Sequence, residues 1–307
     1  MSKKNTQIYQ ILQSDNFASL KDKITYNVKA KNITWMKCGG NITALFKPNN
    51  EIDLIRFLRN FPLKNKVFFL GNGSNVIFRD DESDIVLVIL SGEFAKITDI
   101  NACKVKNTVE IKCGCATQDV ILANHCANNN ITGLEFLCTI PGTIGGNVRM
   151  NAGCYNNELS KVLKEIEWID MDGNKFTSLA KDINFSYRTN PMPHNIVFTQ
   201  ATLHGVIGKK EEILAKMKQH QNHRIETQPQ NCRTSGSTFT NPPNIKAWQV
   251  VKQCGLQGKA IGGASVSSKH ANFIINNGNA TTEDIERLGE LVRKTALSKL
   301  GINLKWD

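Results

Sequence analysis

The sequence predicts an α+β protein, and three observations carry that expectation. Residues 42–90 alternate short apolar runs with an amphipathic stretch, the pattern of a small sheet with helices laid over it. Residues 108–204 are dominated by strand signals around an Asp-Gly turn. Beyond Gly208 helical periodicity returns, with brief strand-like runs between the helices.

Met1 to Val28 is polar and poorly periodic and reads as a loosely attached N-terminal extension, residues 1–28. In 29–90, Ile42 to Lys47 reads as a strand. Asn50 can cap a helix that carries Leu54, Ile55 and Leu58 on one side, and Val67 to Leu70 and Ile85 to Leu90 are short buried strands. In 91–207, Thr108 to Lys112 is a strand and Thr117 can cap a helix holding Val120, Ala123 and Ala127. Ile140 to Gly153 is too rich in glycine for a helix and is expected as a loop. Leu163 to Met171 and Lys175 to Ser178 flank Asp172-Gly173, a strong hairpin turn, and Asn195 to His204 is a further strand.

In 208–307, Lys209 to Gln221 reads as a charged helix with Ile213, Leu214 and Met217 inward. Gln228 to Asn244 is a loop with three prolines. Lys246 to Cys254 is helical and closed by Gly255. His270 to Asn276 is a strand. Thr281 opens a long helix through a capping box in which Asp284 takes the usual place of Glu, and Asn303 to Asp307 is expected as a final strand.

A chain of 307 residues with 40% hydrophobic and 21% charged residues builds two or three cored domains. A net charge of +11 admits nucleic acid, an anionic membrane or polyanionic small molecules as partners. The lysines are dispersed and no zinc-finger or aromatic-basic signature is present, so no nucleic acid is expected. No stretch approaches the roughly 20 apolar residues of a membrane helix, and no apolar core follows the basic start. The reading is a cytoplasmic protein without a membrane partner. Nine irregularly spaced cysteines, with Cys113-Gly114-Cys115 too close for a zinc pair, read as reduced thiols, and the histidines lack metal spacing, so no metal is expected.

Two glycine-rich runs can receive a ligand. Gly71-Asn72-Gly73-Ser74-Asn75 follows an apolar strand, where consecutive N–H groups can form a nest for phosphate. Ile140-Pro141-Gly142-Thr143, with Gly145, Gly146 and Gly153 beyond, allows close backbone approach to a flat or phosphorylated ligand. It is neither the Rossmann glycine pattern nor a P-loop. Tyr187-Arg188 offers a guanidinium that can grip a carboxylate at two points. Ser235 and Ser237 flank Gly236 in a polar loop, without the nucleophile elbow of a serine hydrolase. His270 reads as a structural or supporting group.

In this order the motifs resemble the UDP-N-acetylenolpyruvoylglucosamine reductase family, in its shorter form. The matching pieces are Thr34 with Gly39-Gly40, Gly71 to Asn75, Ile140 to Gly146 with Asn151-Ala152-Gly153, Tyr187-Arg188, Gly236 to Pro242, and Ile261-Gly262-Gly263 with His270 to Phe273. The resemblance implies an FAD-binding fold of the vanillyl-alcohol-oxidase (PCMH) type. Its two α+β subdomains would be residues 29–90 and 91–207, with an α+β substrate-binding domain at 208–307. It implies FAD and NADPH as cofactors, a UDP-sugar as substrate, and a monomer. Gly71 to Asn75, Ile140 to Thr143, Gly145, Gly146 and Gly153 would hold FAD, and Tyr187 and Asn241 would contact substrate. Arg188, Ser237 and Asp307 would be catalytic: Arg188 stabilising an enolate-like state, Ser237 donating a proton, Asp307 standing where the family has Glu.

The sequence departs from the family pattern at that last position. Asp307 is one methylene shorter than Glu and nothing follows it in the sequence, so a poorly held end and an impaired, flavin-binding relic are an alternative expectation. Arg149 stands where a small or apolar residue is common, and Thr240 where lysine is frequent.

Overall fold

A computed structural model describes residues 7–103 and 107–307. The chain forms two compact units and passes repeatedly between them. The first holds the described residues of Met1–Asn27, Thr43–Asn72 and Asp84–Asn222; the second holds Val28–Ile42, Gly73–Ser83 and His223–Asp307.

The first unit opens with α1 (Gln7–Gln13), which buries Ile8 and Leu12. A 3-10 turn then buries Phe17 and Leu20. Phe17 meets Phe57 and Phe61 edge-on, at centroid distances of 5.8 and 6.3 Å. The expectation of a loose extension is therefore corrected for residues 7–28, while residues 1–6 lie outside the described residues. Four apolar side chains at helical spacing anchor the segment, while the polar residues between them face solvent and hide the pattern in an average.

β1 (Ile24–Lys29), β2 (Asn41–Phe46), β3 (Val67–Phe69) and β4 (Ser83–Val88) form a sheet in the order β1-β2-β4-β3, with β3 and β4 parallel. Between β2 and β3 lies α2 (Glu51–Asn60). Asn50 caps it as expected: its side chain accepts the Asp53 N–H at 2.9 Å. Leu54, Phe57 and Leu58 are its buried apolar face.

A larger sheet follows from β5 (Ile97–Cys103) and β6 (Thr108–Gly114). Then come α3 (Asp119–Asn128), β7 (Ile131–Thr132), α4 (Ile144–Met150), the short ribbon β8 (Gly153–Cys154) with β9 (Asn157–Glu158), β10 (Leu163–Ile169), β11 (Lys175–Leu179) and β12 (Val197–Ile207). The order is β11-β10-β12-β6-β5, antiparallel throughout, with β7 beside β12. The β10–β11 turn sits at Asp172-Gly173 as expected, with Gly173 at φ 78° and Asp170 Oδ1 accepting the Asp172 and Asn174 N–H groups at 2.9 Å each.

Two expectations fail here. Thr117 does not cap α3. The helix begins at Asp119 and buries Leu122, Ala123, Cys126 and Ala127, so Val120 faces outward, because Thr117 and Asp119 are drawn into the core instead. The glycine-rich run is not all loop either. α4 forms across Gly145 and Gly146, since burying Ile144 and Val148 gains about 1.5–3 kcal/mol each against roughly 1 kcal/mol for each helical glycine.

α5 (Lys210–Thr227) buries Ile213 and Met217, while Leu214 is exposed, contrary to expectation, because it lies one residue round the helix. Cys113, Cys115 and Cys126 fill the core of the larger sheet. Burial raises all three thiols, Cys126 to about 12. Among the described residues no helix is long and apolar enough to cross a membrane.

The second unit contains α6 (Ala247–Gln253), the antiparallel sheet of β13 (Ala260–Ile261), β14 (Ala264–Val266) and β15 (Ile274–Asn276), and α7 (Thr282–Leu300). Its core includes Met36, Phe239, Val250, Leu288, Val292 and Leu304. The capping box stands: Thr281 Oγ1 accepts the Asp284 N–H and Asp284 Oδ2 accepts the Thr281 N–H, both at 3.1 Å. The same carboxylate accepts the Gly263 N–H at 3.0 Å, and a Cβ on Gly262 would fall 2.1 Å from it, so the short Asp suits a crowded corner. Residues 270–273 lie outside the sheet, leaving only Ile274–Asn276 as strand. Asn303 to Asp307 is no strand but a single bridge, Phe239 with Trp306. The opposing segment soon reaches Pro242 and Pro243, which cannot donate to a ladder.

Replacing Phe17 with Ala is expected to cost about 3–5 kcal/mol in guanidinium unfolding. An unchanged midpoint would mean the N-terminal segment contributes nothing to the core.

Candidate active site

In the first unit the Pro141 to Gly146 run is laced onto residues 115–119. The Asp119 N–H donates to the Gly142 carbonyl at 3.3 Å, Ile144 N–H to Thr117 at 3.0 Å, and Gly145 N–H to Cys115 at 2.8 Å. This approach explains two glycines by packing. A Cβ at Gly142 would lie 2.8 Å from Asp119 Oδ2, and one at Gly145 would lie 3.1 Å from Cys115. Gly146 is different: only Thr143 Oγ1 lies within reach of its Cβ, at 3.7 Å, so its face is open. Gly71 and Asn72 adjoin the same run. Asn72 Nδ2 donates to the Pro141 carbonyl at 3.3 Å, and a Cβ on Gly71 would fall 2.6 Å from Thr143 Oγ1. Gly71, Asn72, Pro141, Gly142 and Gly146 present half-buried, largely side-chain-free backbone.

A polar pair that the sequence pattern does not reveal lies beneath this run. Asp119 is fully buried and accepts from Asn147 Nδ2 at 2.7 Å, while its Oδ2 and the Thr117 hydroxyl have no hydrogen-bond partner. Burial pushes the Asp119 carboxyl well above the usual range, against the pull of bonds from Asn147 and Gly142, and so favours the neutral acid. Asn147 was detectable as a polar residue flanked in α4 by apolar Ile144 and Val148.

Tyr187 and Arg188 form the tip of a tight turn, closed by reciprocal bonds between Ser186 and Thr189 at 3.1 and 3.0 Å. Arg188 adopts the left-handed conformation, φ 55°, a cost that a non-glycine residue bears only where its surroundings impose it. Its Nη2 donates to the Gly153 carbonyl at 3.0 Å. Residues 186–192 are tied to α4 and its end by Asn151 Nδ2 to Ser186, Asn190 Nδ2 to Val148 and Arg149 Nη1 to Met192, at 2.9–3.0 Å. Arg149 also covers the Phe198 ring at 4.7 Å, so this departure from the family pattern has a packing role. A Cβ on Gly153 would meet the Asn157 carbonyl at 2.1 Å across the β8–β9 ribbon.

The second unit holds a pocket lined by Asn75, Ser235, Ser237, Thr238, Trp306 and Asp307 among others. Ser237 bridges Phe273, and Thr238 donates its N–H to Asn272 at 2.7 Å. The buried Asn272 side chain closes the pairing by exchanging bonds with Phe239 at 3.0 and 2.8 Å. Gly236 has φ 85° with nothing near its Cβ position. His270 accepts the Asn272 N–H at 3.3 Å and stands edge-on to Phe273, with burial lowering its pKa; this is the supporting role expected of it.

Asp307 joins the pocket through backbone bonds. Its N–H donates to Thr238 at 3.0 Å and its carbonyl accepts from Asn75 Nδ2 at 3.5 Å. Leu304 is fully buried, so the end is held rather than loose, correcting that expectation. Asn75 is carried by a loop pinned to α7, where the Asp80 carboxylate takes the Thr282 and Glu283 N–H groups at 3.0 Å each. Gly73 and Ser74 lie on that loop; Gly73 has φ 64° and accepts from Trp35 at 2.9 Å. Asn241 Oδ1 accepts the Ala247 N–H at 2.9 Å, at the start of α6. The structure thus groups Ser237, Asp307 and Asn75 in the second unit, while the Pro141 to Gly146 run, Tyr187 and Arg188 belong to the first.

Residues 42–177 match a family described as FAD binding domain, and residues 228–307 match UDP-N-acetylenolpyruvoylglucosamine reductase, C-terminal domain. A UDP-N-acetylenolpyruvoylglucosamine reductase of Orientia tsutsugamushi (strain Ikeda) is 43% identical over 281 residues, 92% of each chain. One from Rickettsia felis is 41% identical, over 90% of this chain and 92% of its own. The crystal structure of the Thermus caldophilus enzyme superposes with a TM-score of 0.79 at 29% identity, covering 92% of this chain and 97% of that one.

The buried carboxyl makes a signed prediction. Where folding raises the pKa of an acid, stability is full below the unfolded pKa, about 4, and declines as pH rises through the folded one. Asp119→Asn removes that loss. It is expected to raise Tm at pH 7 and to give no gain below about pH 4. A gain of equal size at both pH values would contradict the neutral-acid assignment.

Proposed function

The chain belongs to the UDP-N-acetylenolpyruvoylglucosamine reductase family, and from that premise we propose which of its residues carry the reaction. It is an FAD-dependent enzyme that uses NADPH to reduce the enolpyruvyl group of UDP-N-acetylglucosamine enolpyruvate, giving UDP-N-acetylmuramate for peptidoglycan synthesis. The fold is α+β, with the FAD-binding domain of the vanillyl-alcohol-oxidase type. Nothing favours a relic without turnover.

The first unit's residues fit the cofactor. Gly71, Asn72, Ile140 to Thr143, Gly145, Gly146 and Gly153 would hold it, with Gly73, Ser74 and Asn75 continuing the first run. The bare face at Gly146 would admit a flat ring, and burial, which raises the Asp119 carboxyl, disfavours a negative charge beneath the run. When bound, FAD supplies hydride transfer from NADPH to the enolpyruvyl β-carbon.

The observation that carries the residue assignment is the single pocket shared by Ser237 and Asp307. Hydride arrival at the β-carbon leaves negative charge at the α-carbon, delocalised into the carboxylate. Arg188, its guanidinium oriented by the Gly153 carbonyl, stabilises that charge. Ser237 protonates the α-carbon. A hydroxyl is a weak acid in water, so its place on the Ser237–Phe273 bridge matters more than its pKa. Asp307 supplies the carboxylate of the set, one methylene shorter than Glu. Tyr187 contacts substrate beside Arg188, and Asn241 contacts the UDP part. The protein acts as a cytoplasmic monomer, without nucleic acid or membrane partners.

Ser237→Ala is expected to leave flavin reduction by NADPH unchanged and to slow reoxidation by the enolpyruvyl sugar by about 10²–10⁴. Stopped-flow absorbance separates the two steps, and parental reoxidation would remove Ser237 as the proton donor. Arg188→Lys is expected to slow the same step, since a point charge does not replace the planar fork.

A further inference from the structure

We propose that Gly289, in the middle of α7, is a positioning residue for Asp307, acting through the indole of Trp306. The inference deepens the reading of Asp307 as part of the site and rests on it.

Glycine is among the least favourable residues inside a helix, so its presence in a 19-residue helix calls for a reason. The structure supplies one. A Cβ on Gly289 would fall 2.0 Å from Trp306 Cη2 and 2.5 Å from Cζ2, where ordinary contact begins at 3.4 Å. The indole lies directly on the helix backbone, in a notch that only glycine leaves open. Its other contacts fix it there. Trp306 Nε1 donates to Glu290 Oε1 at 3.2 Å, and Arg293 pairs with that oxygen at 2.6 Å. Arg293 Nε donates to the Leu304 carbonyl at 2.9 Å, while Phe239 packs against the indole at 5.3 Å.

The next residue is Asp307. Its N–H bond to Thr238 and the Lys305 carbonyl's bond from Thr240 N–H at 2.9 Å make the segment one short, stiff span. A methyl at position 289 must push the ring back by more than an ångström, and the bridge passes that shift to Asp307. A displacement of ~1 Å can slow a reaction about a hundredfold.

The experiment compares the parent with Gly289→Ala, Trp306→Leu, the double variant and Asp307→Asn. Both flavin half-reactions are followed, with hydrogen exchange of residues 304–307 as a second readout. Gly289→Ala is expected to leave reduction by NADPH intact, slow reoxidation about a hundredfold, and speed exchange at 304–307. The double variant, lacking the ring, should return to the Trp306→Leu rate. Parental reoxidation in Gly289→Ala, or a double variant as slow as Gly289→Ala alone, overturns the proposal. Asp307→Asn separates the two readings: parental reoxidation there defeats the assignment of Asp307 itself, whereas a slow Asp307→Asn beside a parental Gly289→Ala defeats only the positioning role. Should Gly289→Ala fail to fold, Trp306→Leu decides. It is expected to slow reoxidation about tenfold with reduction intact, and parental reoxidation overturns the proposal.

Discussion

Asn151 is the joint on which the first unit's functional surface depends. It is fully buried and ends α4 in the left-handed conformation, which asparagine tolerates better than most residues. Its Oδ1 accepts the Ser160 N–H and its Nδ2 donates to the Ser186 carbonyl, both at 3.0 Å. One amide therefore ties the end of the glycine-rich run to the segment after the β8–β9 ribbon and to the turn bearing Tyr187 and Arg188. A buried polar group left unpaired costs about 1–3 kcal/mol, so these three segments are ordered together. The strained backbone of Arg188 becomes intelligible on that footing: it is imposed by a turn anchored from both sides.

The second unit solves a different problem, holding a short carboxylate at the edge of a pocket. Its device is aromatic packing against a helix notch, supported by backbone bonds to residues 238 and 240. The two solutions share a logic. In each, a residue proposed for chemistry takes its place from backbone geometry set by buried asparagines, Asn151 and Asn190 in one unit and Asn272 in the other. In each, glycines do more structural work than their number suggests, since Gly142, Gly145, Gly153 and Gly289 all sit where a Cβ would strike a neighbour.

Local chemistry was legible in the sequence. The Asn50 cap, the Asp172-Gly173 turn, the Thr281 box and the Gly255 stop all follow from side chains acting within a few residues of themselves. The motifs of the resemblance led to Ser237 and Asp307, which share a pocket. What was not legible depends on distant partners. Asp119 meets Asn147 only once the core forms, and the burial of Phe17 depends on Phe57 and Phe61. α4 was hidden because propensity counts its glycines but not the burial of Ile144 and Val148. Gly289 carried a readable anomaly, a glycine within a strong helix, but its cause lies 17 residues on in Trp306.

On the proposed assignment, one chain completes both halves of a flavin-mediated reduction with Asp307 as the carboxylate of the site. Stopped-flow absorbance of the wild-type protein tests it most directly, with NADPH first and UDP-N-acetylglucosamine enolpyruvate second. Bleaching of the flavin by NADPH and return of the yellow colour on adding the sugar are the expected result. Bleaching with no return would contradict it, and would locate the failure in the residues that serve the second transfer.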